Sequence, residues 1–293
     1  PDGNWWPAAL RDAGVPREIL PTLRETGEAA GVLRPDWQAA WGLGPVPVVL
    51  GANDQTAAAI GAGLYDPGQT AMGFGTAMVT YQVVRPGHPV PPSRPLRGPH
   101  GGGWHYQFLW SAAPGGYIDW IRNLMGGLPW PEFYRRALAV EPGAGGLRFV
   151  PAEAADGGAS AWMAGLGLSH GLDQMARAVL EGVACTARAQ LDQLGAGRTV
   201  RLTGGGATND AWVQTMADIT GRRLERLDQP QTGLLGTALA AGQGAGILPD
   251  LLAAARQATR KIRVFTPSGR RAAVYRRGYE RFLELKCRQR GHP

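Results

Sequence analysis

Four glycine-rich turns constrain how this chain can fold: GAND at 51–54, GFGT at 73–76, PGG at 114–116 and GGGATN at 204–209. Each lies beside an apolar run of strand length. PVPVVL leads into the first, and the small-residue helix AAAIGAGL follows it. QTAMGFGTAMVTYQVV reads as two strands joined across Gly73–Gly75. WHYQFLW is a strand leading through the third turn into the helix GGYIDWIRNLM. TVRLT runs into the fourth, and NDAWVQTMADITG is a helix capped by Asn209 or Asp210. Glycine permits these tight reversals because it lacks a Cβ. Strands alternating with helices in this order require a layered α/β fold.

The remaining segments fit that frame. Residues 1–44 are rich in Trp and Pro, with short helical pieces in WWPAALRDAG and RPDWQAAWGLG. RPGHPVPPSRPLRGPHGGG reads as a loop. GLDQMARAVLEGVACTARAQLDQLGA is the longest helix, with Met175, Val179, Val183 and Leu191 on one stripe and Gly195 and Gly197 ending it. RLERL is a short strand and TGLLGTALAAGQGAG another small-residue helix.

Charge is concentrated at one end. Residues 256–290 hold twelve Lys/Arg against Glu280 and Glu284, a balance of +10 in a chain of net +7, which leaves −3 for the rest. A basic tail of this kind can bind nucleic acid. Its stretch VFTPSGRRAAVYRRGYERFLELK alternates apolar and basic residues, however, as an amphipathic closing helix with a solvated face would. Two cysteines, Cys185 and Cys287, give no disulfide framework and imply a reducing cytoplasm. No apolar run is long enough to span a bilayer, and PDGNWWPAAL has no signal-peptide pattern.

A glycine turn ahead of a helix lets backbone N–H groups approach phosphate oxygens, and the helix dipole favours the anion. Such glycines also serve tight turns and close packing, so each turn alone is a weak signal. The dinucleotide pattern G-x-G-x-x-G is not met at GGGATN. A Walker loop is excluded because neither Lys261 nor Lys286 follows a glycine. The five histidines lack zinc spacing, and His170 before a helix reads as a cap or packing residue. Asp54 is a lone carboxylate between a strand and a small-residue helix: a solvated surface group, or a catalytic one.

Three stretches together resemble the FGGY family of carbohydrate kinases. GANDQTAAAIGAGLYDPGQTAMGFGTA is similar to the family's G-x-x-D-x-x-x-x-x-x-G-x-G segment and its glycine–threonine phosphate turn. LSHGLDQMARAVLEGVACTARAQLDQL resembles its R-A-x-x-E-G helix. RLTGGGATNDAWVQTMADITGRRLERLDQPQTGLLGTALAAG resembles its adenosine motif and L-G-x-A-x-x-A helix. The likeness covers most of residues 20–245, and among subgroups GGGATNDAWVQ and SAAPGGYIDW look most like xylulokinases.

The resemblance implies an α/β fold of the actin-like ATPase, ribonuclease-H-like kind, mainly its second lobe. Residues 1–45 would be the tail end of the N-terminal lobe and 46–293 the C-terminal lobe with a basic C-terminal helix. It implies ATP and Mg²⁺ as cofactors, no side-chain metal cage, and a sugar or polyol as substrate. Asp54 matches the catalytic base; Gly75, Thr76 and Gly115 match residues around the nucleotide phosphates; Gly205, Gly206 and Asn209 match adenosine contacts. Phosphoryl transfer is mainly positioning and charge neutralisation, so one carboxylate is a sufficient base. Two departures stand out. PAEAADGGASAWMAG replaces the usual Gly-Glu-Arg-x-Pro loop, and no Asp-x-Gly-Thr turn occurs. The expectation is a chain that requires a separate N-terminal lobe as partner and is inactive alone. The half-cleft exposed without that lobe would favour self-association as a homodimer; the alternatives are a non-catalytic nucleotide-binding or oligomerisation module, and a nucleic-acid-binding domain that uses the tail.

Overall fold

The computed structural model describes residues 4–152 and 160–291 of the 293-residue chain. The first segment is small and sparsely buried: helix α1 (Pro7–Ala13), strand β1 (Ala29–Val32), helix α2 (Pro35–Trp41) and strand β2 (Pro47–Val49). Both helices start on proline and end on a left-handed glycine, Gly14 and Gly42, where each residue's backbone preference costs least. β1 and β2 pair antiparallel, Ala29 opposite Val49. Trp6, Trp37 and Trp41 remain exposed.

A seven-stranded sheet organises the rest, in the order β11-β10-β9-β3-β4-β6-β5. Its strands are β3 (Thr70–Phe74), β4 (Met78–Val84), β5 (Leu96–Gly101), β6 (Trp104–Ser111), β9 (Thr199–Thr203), β10 (Arg223–Leu227) and β11 (Lys261–Phe265). β3, β9 and β10 run parallel, and β4, β5, β6 and β11 add antiparallel neighbours. Alternation along β3 sends successive side chains to opposite faces. Ala71 joins Tyr81 and Val83 beneath Ala59, Ala62 and Leu64 at helix α3 (Asp54–Gly61). Met72 and Phe74 join the larger core with helices α4 (Pro114–Leu124), α6 (Leu172–Gln193) and α7 (Asp210–Thr220). Helices α8 (Thr232–Gly244) and α9 (Leu251–Ala258) back α3. Helix α5 (Trp130–Ala139), the hairpin of β7 (Arg148–Val150) and β8 (Trp162–Ala164), and the last helix α10 (Ala272–Gly291) enclose the α6 side.

Two sequence expectations are corrected, and a third, the amphipathic closing helix with a solvated face, holds for α10 but not for the strand ahead of it. The loop read across 85–103 contains β5, an edge strand; Pro99 is tolerated there because an edge residue need not donate to a neighbour. α6 is no one-striped helix, for nearly every residue from Ala176 to Leu191 is buried. Small residues along it (Ala178, Gly182, Ala184, Ala187) let neighbours close in, and buried Arg177 is satisfied by Glu181 at 2.8 Å and the Tyr275 hydroxyl at 2.6 Å. The basic tail divides into β11, paired with β10, and α10, which buries Tyr275, Tyr279, Phe282 and Leu285 at helical spacing while its arginines at 276, 277 and 281 stay exposed. Of the PAEAADGGASAWMAG segment, residues 153–159 lie outside the described residues.

Candidate active site

β3 and β9 are parallel neighbours with Gly73 opposite Thr203, so both chains leave the sheet at the same end. There the GFGT and GGGATN turns meet. Gly204 has φ +84°, and a Cβ on it would lie 2.6 Å from the Phe74 carbonyl oxygen. A Cβ on Gly206 would lie 2.3 Å from the Phe74 ring, and one on Gly115 only 2.0 Å from the Gly75 carbonyl oxygen. The Gly115 N–H donates to the Thr76 carbonyl at 3.0 Å. These glycines let three backbones converge, a packing requirement that holds whatever binds there.

An open cavity of about 520 Å³ lies at this convergence, lined by Gly75, Thr76, Gly115, Gly205 and Gly206. Five of the six expected nucleotide-binding residues thus share one wall. The start of α4 enters it through Gly115 and Gly116 and has no side-chain cap, so a helix N-terminus faces the space. Asn209 is not among the lining residues. Its side chain caps α7 by accepting the Trp212 N–H at 3.0 Å, while its neighbour Thr208 lines the cavity. Of the two expected caps, Asn209 is the one used. Asp210, the next residue, pairs with Arg226 and Arg263. The hydrogen bond from Arg226 leads in holding its carboxyl below the usual carboxylate range.

Sequence reasoning missed the cavity's other wall. Ile118 and Asp119 of α4 and Trp130 and Tyr134 of α5 complete it. Trp130 stacks on Tyr134 with centroids 5.8 Å apart, and the Arg122 guanidinium sits 4.7 Å from its ring centre. Arg122 also binds Asp119 at 2.8 Å. The one available signal was a tryptophan set between two prolines, Pro129-Trp130-Pro131, where a side chain at a helix start is held partly exposed. Residues 167–171, GLSHG, also fit the Gly-x-Ser-x-Gly pattern of an esterase nucleophile. Both ring nitrogens of His170 are engaged there, with the Gly167 N–H at 3.0 Å and the Gly145 carbonyl at 3.2 Å. Neither is left to activate exposed Ser169.

Asp54 stands apart from the cavity lining. It opens α3, on the sheet face opposite α4, α6 and α7, after the Asn53 side chain caps the helix by accepting the Thr56 N–H at 2.9 Å. Its carboxylate is exposed and accepts the Gln55 N–H at 2.8 Å and the Gln55 side-chain amide at 3.2 Å. Among the described residues no group of three or more His, Cys, Asp or Glu could hold a metal ion, and no helix is long and apolar enough to cross a membrane.

The sheet, its helices on both faces and the turn cluster at one sheet end are those of the actin-like ATPase fold. The ligand-bound xylulose kinase of Lactobacillus acidophilus superposes with a TM-score of 0.91 over 98% of this chain and 61% of that one, at 22% identity. A model of the C-terminal domain of the FGGY family of carbohydrate kinases matches residues 132–245, and a model of the family's N-terminal domain matches residues 1–61. The chain belongs to the FGGY family of carbohydrate kinases. It is 31% identical over 262 residues to the xylulose kinase of Escherichia coli strain K12, covering 83% of this chain and 52% of the relative. It is 30% identical over 318 residues to the glycerol kinase of Gloeobacter violaceus, covering 96% of this chain and 60% of the relative. The chain spans about half the length of the curated relatives it matches.

Proposed function

We propose that this protein acts in ATP-dependent phosphorylation of a sugar or polyol hydroxyl, most like a xylulokinase. The observation that carries this reading is the cavity in which the GFGT, PGG and GGGATN turns share one wall. The dipole of α4, whose start has no side-chain cap, suits an anionic phosphate chain, and the Trp130 and Tyr134 side suits a flat apolar base. In this reading Gly75, Thr76 and Gly115 surround the phosphates. Gly205, Gly206 and the Asn209 turn hold the adenosine. Asp54 is the base that takes the proton from the attacking hydroxyl. Magnesium fits as an ion carried on nucleotide phosphates: the cavity's own carboxylate, Asp119, is tied to Arg122. We read residues 1–45 as the tail of the family's N-terminal lobe and 46–293 as its C-terminal lobe, and the compartment as the cytoplasm.

The separation of Asp54 from the cavity lining favours a second reading, a non-catalytic nucleotide-binding module. Two measurements decide. Calorimetric titration of the chain with ATP and ADP in the presence of magnesium is expected to show one site; no heat at millimolar nucleotide overturns the cavity assignment. An ADP-release assay over ketoses, polyols and sugar acids, with a first lobe supplied, is expected to show turnover with one class. Binding without turnover on any of them selects the second reading.

A further inference from the structure

The first turn of α3 is held by a cap on one side of Asp54 and by a tie to the sheet on the other. On one side, the Asn53 side chain accepts the Thr56 N–H at 2.9 Å. On the other, the Thr56 hydroxyl lies 3.2 Å from the Tyr81 hydroxyl of β4. Tyr81 in turn lies 2.9 Å from His100 Nδ1, and His100 Nε2 lies 2.9 Å from the Leu64 carbonyl oxygen. Thr56, Tyr81 and His100 are all buried.

The direction of every bond in this chain follows from its last member. A carbonyl only accepts, so His100 Nε2 carries the proton and donates to Leu64. Nδ1 of the neutral ring is then a lone pair, and the Tyr81 hydroxyl must donate to it. The Tyr81 oxygen is left as an acceptor, so Thr56 donates to Tyr81. A side chain on β4 therefore holds the third residue of α3 in one rotamer. Buried hydrogen-bond chains of this kind fix a single geometry, because breaking one link strands a polar group without water.

We propose that Tyr81, held in orientation by His100, is a positioning residue for Asp54: it fixes the α3 turn on which the carboxylate is carried, through Thr56. The proposal rests on the reading of Asp54 as the base. Tyr81 touches no reacting atom. Its effect is on where the Asp54 carboxylate points, and a misplacement of about 1 Å can cost on the order of 10²-fold in rate.

The test uses Tyr81→Phe, Thr56→Val and Thr56→Ser, with Asp54→Asn as a control. Thr56→Val keeps the shape and loses the hydroxyl; Thr56→Ser keeps the hydroxyl. In the ADP-release assay Tyr81→Phe and Thr56→Val are each expected to lower kcat about tenfold or more with KM for nucleotide unchanged, and Thr56→Ser to restore it. In the Asp54→Asn background Tyr81→Phe is expected to have no further effect. An equal loss in that background, or a failure of Thr56→Ser to restore kcat, means Tyr81 is only structural and overturns the proposal. An active Asp54→Asn enzyme overturns the base assignment instead. A measurement free of activity runs beside these: amide hydrogen exchange in the full chain. Exchange at Gln55 and Thr56 is expected to rise in Tyr81→Phe while that of β3 and β9 stays unchanged. Unaltered exchange at those two amides overturns the proposal whatever the kinetics.

Discussion

Gly61 of α3 and Gly236 of α8 meet backbone to backbone. A Cβ on Gly61 would lie 1.8 Å from the Thr232 carbonyl oxygen, and one on Gly236 would lie 1.9 Å from the Ala57 carbonyl oxygen. Two effects oppose each other in Gly236→Ala. Alanine in a helix interior is favoured over glycine by about 1 kcal/mol, but the new methyl forces two helices apart, and overpacking costs about 1–3 kcal/mol and occasionally more. Backbone atoms cannot rotate away, so the clash wins. Gly236→Ala is expected to destabilise by about 2 kcal/mol in urea unfolding, whereas Gly233→Ala in the same helix, with open space at its Cβ, is expected to be neutral or stabilising. Equal stabilities for the two would refute the crossing.

Gly205 and Gly206 are adjacent but differ in what surrounds them. Gly206 is pressed on the Phe74 ring, and Gly205 has open space where a Cβ would go while lining the cavity. Gly205→Leu is therefore expected to leave thermal stability within about 0.5 kcal/mol and to weaken ATP binding at least about tenfold, a loss of about 1.4 kcal/mol. Gly206→Leu is expected to lower the melting temperature as well, since the new side chain meets the core before it meets ligand. Calorimetry together with thermal melts separates the two. Normal ATP affinity in Gly205→Leu would remove nucleotide from this cavity.

The glycine turns, the strands that feed them and α7 with its cap were legible because local chemistry dictates them: glycine where backbones converge, asparagine where N–H groups need a partner. That Gly75 and Gly205 belong to one site came from the family resemblance, since local chemistry marks each turn without pairing them. Trp130 and Tyr134 could not be assigned to it, because they reach the cavity through tertiary packing of α5 on α7, which leaves no mark in the sequence near GGGATN. β5 hid behind its proline for a related reason, since only its position at the sheet edge makes Pro99 acceptable. The all-round burial of α6 was masked by alanines, which read as neutral in a hydrophobic stripe and yet permit close approach on every side.

Asp54→Asn is nearly isosteric and keeps a side-chain acceptor for the Gln55 N–H, so the α3 turn should persist. Loss of a carboxylate at a helix start costs only about 0.3–1 kcal/mol at an exposed position. An amide cannot take the proton from a sugar hydroxyl at neutral pH, and removal of a general base typically costs ~10²–10⁴ in rate. On the proposed reading of Asp54 as the base, sugar-dependent ADP release with the first lobe supplied is expected to fall by that factor while ATP affinity changes little, since Asp54 does not line the cavity. Turnover near the unmodified rate would take Asp54 out of the chemistry.

His100 makes stability depend on pH in one direction. Burial leads in lowering its pKa below the ordinary histidine value near 6.5, against an opposing contribution from its hydrogen bond to Leu64. The folded chain holds the ring neutral where the unfolded chain has begun to protonate it, so the unfolded state binds more protons. Stability then rises with pH between the folded and unfolded values, and is lost as pH falls below about 6.5. One proton sets the limit of this slope at about 1.4 kcal/mol per pH unit. Structure gives the same sign: a protonated Nδ1 would become a donor facing the Tyr81 hydroxyl, and the bond chain to Thr56 would have to reverse. Urea unfolding at pH 7.5 and 5.5 is expected to show a loss at the lower pH. His100→Gln, which cannot titrate, is expected to be less stable at pH 7.5 but to show a smaller loss on acidification. An undiminished pH dependence in His100→Gln would assign the effect to other groups.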